Sequence, residues 1–301
     1  MTYYRISPEV SEAFAQKKPI VALETTVVTH GLPYPQNINL AVDMESEIRK
    51  HGAVPAAIGI LTGFVRVGMD RDQLEALVAD KPLHKISRRN YAPVLAKGES
   101  GGTTVAGTLI AAHNVGIQVF ATGGIGGVHR EPAYDISADL PELAQRPVIV
   151  VCAGAKAILD LPATVEVLET MGVPVVGYQT DELPAFYSRS SGLPVSARAD
   201  SPDEVAAIAK AHWGMGLNSA ILVTVPPPED AALPTDLVNA AIEQALDEAS
   251  EKGLRGQEVT PFLLSQVSQL TGQKSLRTNL SLLLNNARVA AQIAAAMMNP
   301  H

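Results

Sequence analysis

Five stretches of this chain are apolar almost from end to end: IVALE (20–24), IQVFATGG (117–124), RPVIVVCAG (146–154), VPVVGY (173–178) and SAILVTV (219–225). Successive residues of a strand face opposite sides, so a run without polar alternation is buried on both. Between these runs lie stretches with helical spacing: near 8–16, from about Asn37 to Lys50, near 71–80, from Thr103 to Asn114, over 156–171, near 202–213, and three more toward the C-terminus. Such alternation predicts an α/β fold, a three-layer α/β/α sandwich around a mostly parallel central sheet. PAAIGILTGFVRVG (55–68) adds one or two strands and His84–Ile86 a short one. PPPEDAALP (226–234) reads as a loop, because strand and helix signals continue on either side; residues 1–301 are read as one domain.

The 301 residues are 47% hydrophobic and 18% charged, enough apolar side chain for a large core. A formal net charge of −8 argues against a nucleic-acid or anionic-membrane surface. It leaves room for an anionic small molecule held by a local cluster of cations. Cys152 is the only cysteine, which excludes an internal disulfide and suits a reducing compartment. No apolar run approaches the ~20 residues that span a bilayer, and MTYYRISPEVSEAF lacks the apolar core of a secretion signal. The expected location is the cytoplasm.

In open α/β sheets ligands sit beyond the carboxyl ends of the strands. Four features fall there: Glu24, the TGGIGG cluster (122–127), Lys156, and the loop after Tyr178. Glu24 is an acid in an apolar segment. It reads either as a carboxylate that caps or pairs at a strand end, or as a proton-transfer group whose pKa burial raises. Lys156 follows a strand and the turn Ala153-Gly154-Ala155, and the pattern puts it in the first turn of a helix. A cation there works against the helix dipole by ~0.3–1 kcal/mol and favours the neutral amine, a nucleophile toward a sugar or carbonyl carbon. The other reading is a lysine that reaches past the helix to solvent.

ATGGIGGVHR (121–130) is not a dinucleotide fingerprint, because His129 stands where the third glycine belongs. Its glycines suit either a tight turn or a nest of outward N–H groups for an anion. GESGGTTVAGT (98–108) leads into a helix that Thr103 or Thr104 can cap, and whose free N–H groups suit phosphate. HKISRRN (84–90) is the densest basic cluster, either a solvated face or a phosphate grip. In YDISADL (134–140), Ser137 can cap a helix, and Asp135 and Asp139 can cap, be solvated, or ligate a hard divalent ion. His113, His129 and His212 are too scattered in sequence for a zinc set.

Taken with VALETTVVTHGLPYPQN (21–37), VVCAGAKAILD (150–160), GVPVVGYQTDELPAFYSR (172–189), TPFLL (260–264) and TNLSLLLNNA (278–287), these segments closely resemble the pseudouridine-5′-phosphate glycosidase family, nearly end to end and in order. The resemblance implies a homotrimer with one Mn²⁺ per subunit that splits the C–C glycosidic bond of pseudouridine 5′-phosphate, reversibly, into uracil and ribose 5-phosphate. It implies Lys156 as the nucleophile that holds the sugar and Glu24 as the proton donor. Lys85, Val105, Ser137, Ala138 and Asp139 would contact substrate, Asp135 would bind the metal, and Asn279 would lie near the uracil or the phosphate. Thr25 stands where the family usually has Ser, and keeps the hydroxyl. The competing readings are an imine-forming lyase on another sugar phosphate, and a binding protein in which Lys156 only pairs a phosphate.

Overall fold

The computed structural model of the chain describes residues 2–130, 135–254 and 259–299; Tyr134, at the head of YDISADL, lies outside them. In chain order the elements are β1 (Tyr4–Ile6), α1 (Pro8–Ala15), β2 (Ile20–Glu24), α2 (Gln36–Lys50), β3 (Val54–Leu61), β4 (Phe64–Val67), α3 (Arg71–Ala79), β5 (Leu83–Ile86), α4 (Tyr91–Lys97), β6 (Ser100–Thr103) and α5 (Val105–Val115). There follow β7 (Val119–Ala121), β8 (Val128–His129), α6 (Asp139–Leu143), β9 (Ile149–Cys152), β10 (Leu159–Asp160), α7 (Leu161–Thr170), β11 (Val175–Tyr178), β12 (Ala197–Ala199), α8 (Pro202–Gly214) and β13 (Ile221–Thr224). Three helices end the chain: α9 (Thr235–Glu251), α10 (Val259–Leu270) and α11 (Lys274–Met297). A π-type turn, Val27–Gly31, follows β2.

Eleven strands form one sheet in the order β1-β4-β3-β2-β7-β9-β13-β11-β12, with β6 also on β3 and β5 beyond it. The pairs are parallel except β3–β4 and β3–β6. All four residues of β9 and of β13 are buried, so both faces of the sheet are covered. α11 lies over β2, β7 and β9 and against α2 and α8; α5 packs on β2, β3 and α6. The expected layered α/β architecture with its mostly parallel sheet is what the chain forms.

Local chemistry sets the helix starts. Ser7, Asp70, Thr104, Asp160 and Ser201 each stand one residue ahead of a helix and accept a backbone N–H, from Val10, Gln73, Gly107, Ala163 and Glu204. Each such cap is worth about 1 kcal/mol. Two of them correct the expected boundaries. The helix expected over 156–171 begins at Leu161, because Asp160 caps it and Pro162 occupies its first turn. The helix expected from Thr103 begins at Val105, because Thr104 is the cap and Thr103 belongs to β6. Among the described residues no helix is long and apolar enough to cross a membrane.

Strand order locates the functional end of the sheet. From β2 the chain moves to β3 on one side, and later returns to β7 on the other side of β2 before going on to β9. A crevice therefore opens between the carboxyl ends of β2 and β7, where the winding reverses. Glu24 ends β2 at that point.

Candidate active site

A cleft of about 650 Å³ opens there, lined by residues that include Glu24, Lys85, Val105, Asp135, Ser137, Ala138, Asp139 and Lys156. Glu24 and Lys156, more than 130 positions apart in the chain, thus converge, and every candidate residue that the resemblance names but one lines this space. The exception, Asn279, lines a smaller adjoining chamber whose wall also contains Glu24, Lys85 and Lys156. Those three residues and Thr26 belong to both spaces and form the centre of the site.

Lys156 reaches the centre from a loop, not from a helix. The loops beyond β7 and β9 continue the parallel pairing of their strands: the Ile125 N–H donates to Gly154 O (3.1 Å) and the Lys156 N–H to Ile125 O (3.0 Å). Gly154 has φ +88, and a Cβ there would stand 2.4 Å from Pro184 O, so the turn tolerates only glycine. The helix-dipole argument for Lys156 lapses with this geometry, since α7 starts five residues later.

Glu24 sits among unlike neighbours. Burial raises its pKa above the ordinary carboxylate range, and the charge of Lys156 and the hydroxyl of Thr122 pull the other way. On β5, Lys85 is held below its usual range, first by burial and then by the positive charge of Lys156. The acid and this lysine are therefore both pushed toward their neutral forms.

The phosphate expectation needs correction. Asp139 is buried and has already claimed the amides offered to an anion: its Oδ1 accepts from Ala106 N at 2.8 Å and its Oδ2 from Gly126 N at 2.8 Å. Thr104 Oγ1 accepts from Gly107 N at 3.2 Å. Val105, the first residue of α5, lines the cleft, as do Ala138, Lys85, Arg88 and Arg89. Ser137 is not a helix cap in side-chain terms for α6, whose N-cap position is Ala138, yet its Oγ accepts from Asp139 N at 3.2 Å. Arg88 is anchored to the fully buried Glu142 at 3.0 Å, which also binds Arg146 at 3.0 Å. Lys85, Arg88, Arg89 and Lys156 put four basic side chains on a cleft whose acidic ones are Glu24, Asp135 and Asp139, so a chain of net charge −8 gathers basic groups at this site.

Asp135 faces the cleft as the one oxygen donor proposed for a metal. Among the described residues no three His, Cys, Asp or Glu side chains converge on a metal position. An ion at Asp135 would thus have at most two such side chains and would rely on water, the habit of hard ions such as Mg²⁺ and Mn²⁺, which keep most of their hydration. The residues present fit such an ion.

The smaller chamber is different in kind: Val27, Phe186, Leu264 and Leu283 line it with Gly123, Gly124, His30 and Asn279. Sequence reasoning reaches Thr122 only as part of the TGGIGG cluster and His129 only to set aside a zinc site, and does not single out His30 or Phe186. His30 is brought in by the π-type turn after β2 and Phe186 by the loop after β11, and nothing local marks them. Thr122 had one readable signal. Leu23 pairs with Ala121, so the next residues in register are Glu24 and Thr122. The hydroxyl kept at Thr25 is structural: it donates to Ile58 O at 2.7 Å and accepts from Thr103 N at 3.1 Å, tying β2 to β3 and β6.

The sequence profile of the family described as Indigoidine synthase A like protein matches residues 9–296. A pseudouridine-5′-phosphate glycosidase of Paracoccus denitrificans is 53% identical over 296 residues, 97% of each chain. One of Escherichia coli is 52% identical over 293 residues, 96% of this chain and 94% of that one. Among solved structures, the prealnumycin C-glycosynthase in complex with ribulose 5-phosphate superposes with a TM-score of 0.92 at 40% identity, covering 99% of this chain and 98% of that one. An indigoidine synthase A-like protein from Thermotoga maritima gives 0.90 at 36%, covering 98% and 97%.

Proposed function

The chain belongs to the family of indigoidine synthase A like proteins, and on that premise we propose that it is a C-glycosidase that splits pseudouridine 5′-phosphate reversibly into uracil and ribose 5-phosphate. Relatives more than half identical over nearly their whole length carry that activity in their names, and a structural neighbour holds a five-carbon sugar phosphate. The observation that carries the reading is the meeting of Lys156, Glu24 and Lys85 where a cationic cleft adjoins a mostly apolar chamber.

A C–C glycosidic bond offers no leaving oxygen or nitrogen to protonate, so a pair of carboxylates of the usual glycosidase kind is not enough. A covalent sugar solves this. The Lys156 amine bonds to the first carbon of the ribose as that carbon's bond to the ring oxygen breaks, and Glu24 gives its proton to the oxygen. The new ammonium returns a proton to Glu24, which passes it to carbon C5 of uracil. The C–C pair then goes to the uracil ring while the nitrogen lone pair forms an imine. Water hydrolyses the imine, releasing ribose 5-phosphate and restoring both groups.

Remote binding energy orients the reacting end. The phosphate would lie against Lys85, Arg88, Arg89, Val105 and Ala138, beside Ser137 and Asp139, all of which line the cleft. Uracil lies in the chamber of Phe186, Leu283 and Asn279. Asp135 would hold one Mn²⁺ per subunit, whose chemistry is to order water and charge around the sugar phosphate. The reading includes a homotrimer in the cytoplasm; the buried thiol of Cys152, its pKa pushed up to about 12 by burial, fits a protein that keeps its cysteine unoxidised.

Incubation with pseudouridine 5′-phosphate, with and without a chelator, tests the activity: uracil should appear, and faster with metal. No uracil under either condition refutes the reading. Light scattering that shows anything other than three subunits removes the trimer.

A further inference from the structure

Thr122 is fully buried, one residue past β7, and its side chain does nothing for the sheet. Its hydroxyl donates to Glu24 Oε1. Two features hold it there. Register places Thr122 beside Glu24 on adjacent parallel strands, where aligned side chains share a face. On the other side, the carbonyl of Thr122 lies where the ladder has ended, and Asn286 of α11, itself fully buried, donates its Nδ2 to it at 2.9 Å. The Thr122 N–H donates to Val151 O at 3.0 Å. Backbone and side chain are thus pinned from β9, from α11 and from Glu24. A β-branched side chain has few χ1 states to begin with.

We propose that Thr122 is the positioning residue for the proton-transfer step: by engaging Oε1 of Glu24 it fixes the plane of the carboxyl and leaves Oε2 as the oxygen that exchanges the proton with substrate. The proposal rests on the reading of Glu24 as proton carrier and adds which oxygen acts and what aims it. Thr122 acts through Glu24 and touches no reacting atom. The charged groups that face Glu24 are Lys156 from the loop after β9, Lys85 on β5 and Asp139 on α6, and all remain when Thr122 is changed. Loss of the hydroxyl removes the one neutral donor that favours the carboxylate, so the group is protonated up to higher pH.

The test compares Thr122→Val, which keeps the shape, with Thr122→Ser, which keeps the hydroxyl, in the intact enzyme. The wild type is assayed first for uracil release from pseudouridine 5′-phosphate; silence there sinks the functional reading and not this inference. Given an active wild type, Thr122→Val should lower kcat by about 10- to 100-fold, the worth of a hydrogen bond to a charged group. KM for the substrate should stay within a few-fold, and the alkaline limb of the pH–rate profile, where Glu24 loses the proton it must donate, should move to higher pH. Thr122→Ser should recover most of the rate and the original limb. A Thr122→Val enzyme with wild-type kcat and pH profile overturns the proposal. So does a Ser variant as slow as the Val variant, because the hydroxyl would then be irrelevant. Should Thr122→Val not fold, the Ser variant still decides: a kcat far below wild type in a protein of wild-type melting temperature counts against it.

Discussion

The two halves of the site work by different physics. The cleft beyond Lys85 is cationic, with Arg88 and Arg89 on its rim and a buried Asp139 stapling two of its loops. The chamber beyond Lys156 is small and mostly apolar, and Phe186 closes so tightly on it that a Cβ on Gly124 would stand 2.6 Å from the ring. The lining of the cleft suits a charged group, and that of the chamber suits a flat neutral one. Only the residues common to both, Glu24, Lys85, Lys156 and Thr26, stand where the bond between the two halves of a ligand would lie. A substrate with one charged end and one neutral planar end is therefore placed with its junction over the amine and the acid.

The strongest challenge to this division strikes its centre. Lys156→Ala should abolish turnover and leave no sugar adduct trapped by borohydride after incubation with ribose 5-phosphate; Lys156→Arg should do the same, where a phosphate contact would partly survive. Glu24→Gln comes next, with a rate loss of about 10²- to 10⁴-fold. It carries a second signature with a definite sign. Burial raises the carboxyl's pKa in the folded state, so the unfolded chain ionises first as pH rises, and the fold is penalised above the ordinary carboxylate pKa and not below it. Melting temperature should accordingly rise in Glu24→Gln at neutral pH, and the gain should vanish at acid pH. No gain at neutral pH would mean that the carboxylate is not desolvated.

Smaller effects separate the halves. Arg89→Ala should raise KM for the phosphorylated substrate by about tenfold and leave KM for uracil in the synthetic direction alone. Gly124→Ala should do the reverse by a few-fold, because the added methyl drives the Phe186 ring into the chamber. If both variants raise both constants equally, the two spaces are one and the comparison fails. The least effect is expected from a chelator on stability: an ion at Asp135 that is held mostly by water would leave turnover slower and the melting temperature in place when removed.

Much of this was readable before any coordinates. Runs buried on both faces imply a parallel sheet, and a parallel sheet implies chemistry at its carboxyl ends, which is how Glu24 and Lys156 came to notice. The helix starts were misplaced although their signals were present: Asp160-Leu-Pro162 is a cap followed by a first-turn proline, and it outweighs the run of helix formers ahead of it. β6 was hidden because Ser100-Gly-Gly-Thr103 has no strand propensity of its own; it is a strand because β3 and β5 pair with it, and its glycines fit where side chains would strike His84 O and Thr29. Phe186 enters from a loop whose path depends on distant contacts, such as the approach of Pro184 to Gly154. No local pattern encodes such meetings.

The Asp139 carboxylate, bonded at once to the start of α5 and to the glycine loop after β7, is in effect a counter-ion built into the wall. Without a visitor, the amides it holds are neither idle nor repelling one another, and the two loops keep their spacing. The walls are thereby shaped in advance, so a sugar phosphate that binds there need not spend its affinity on assembling them.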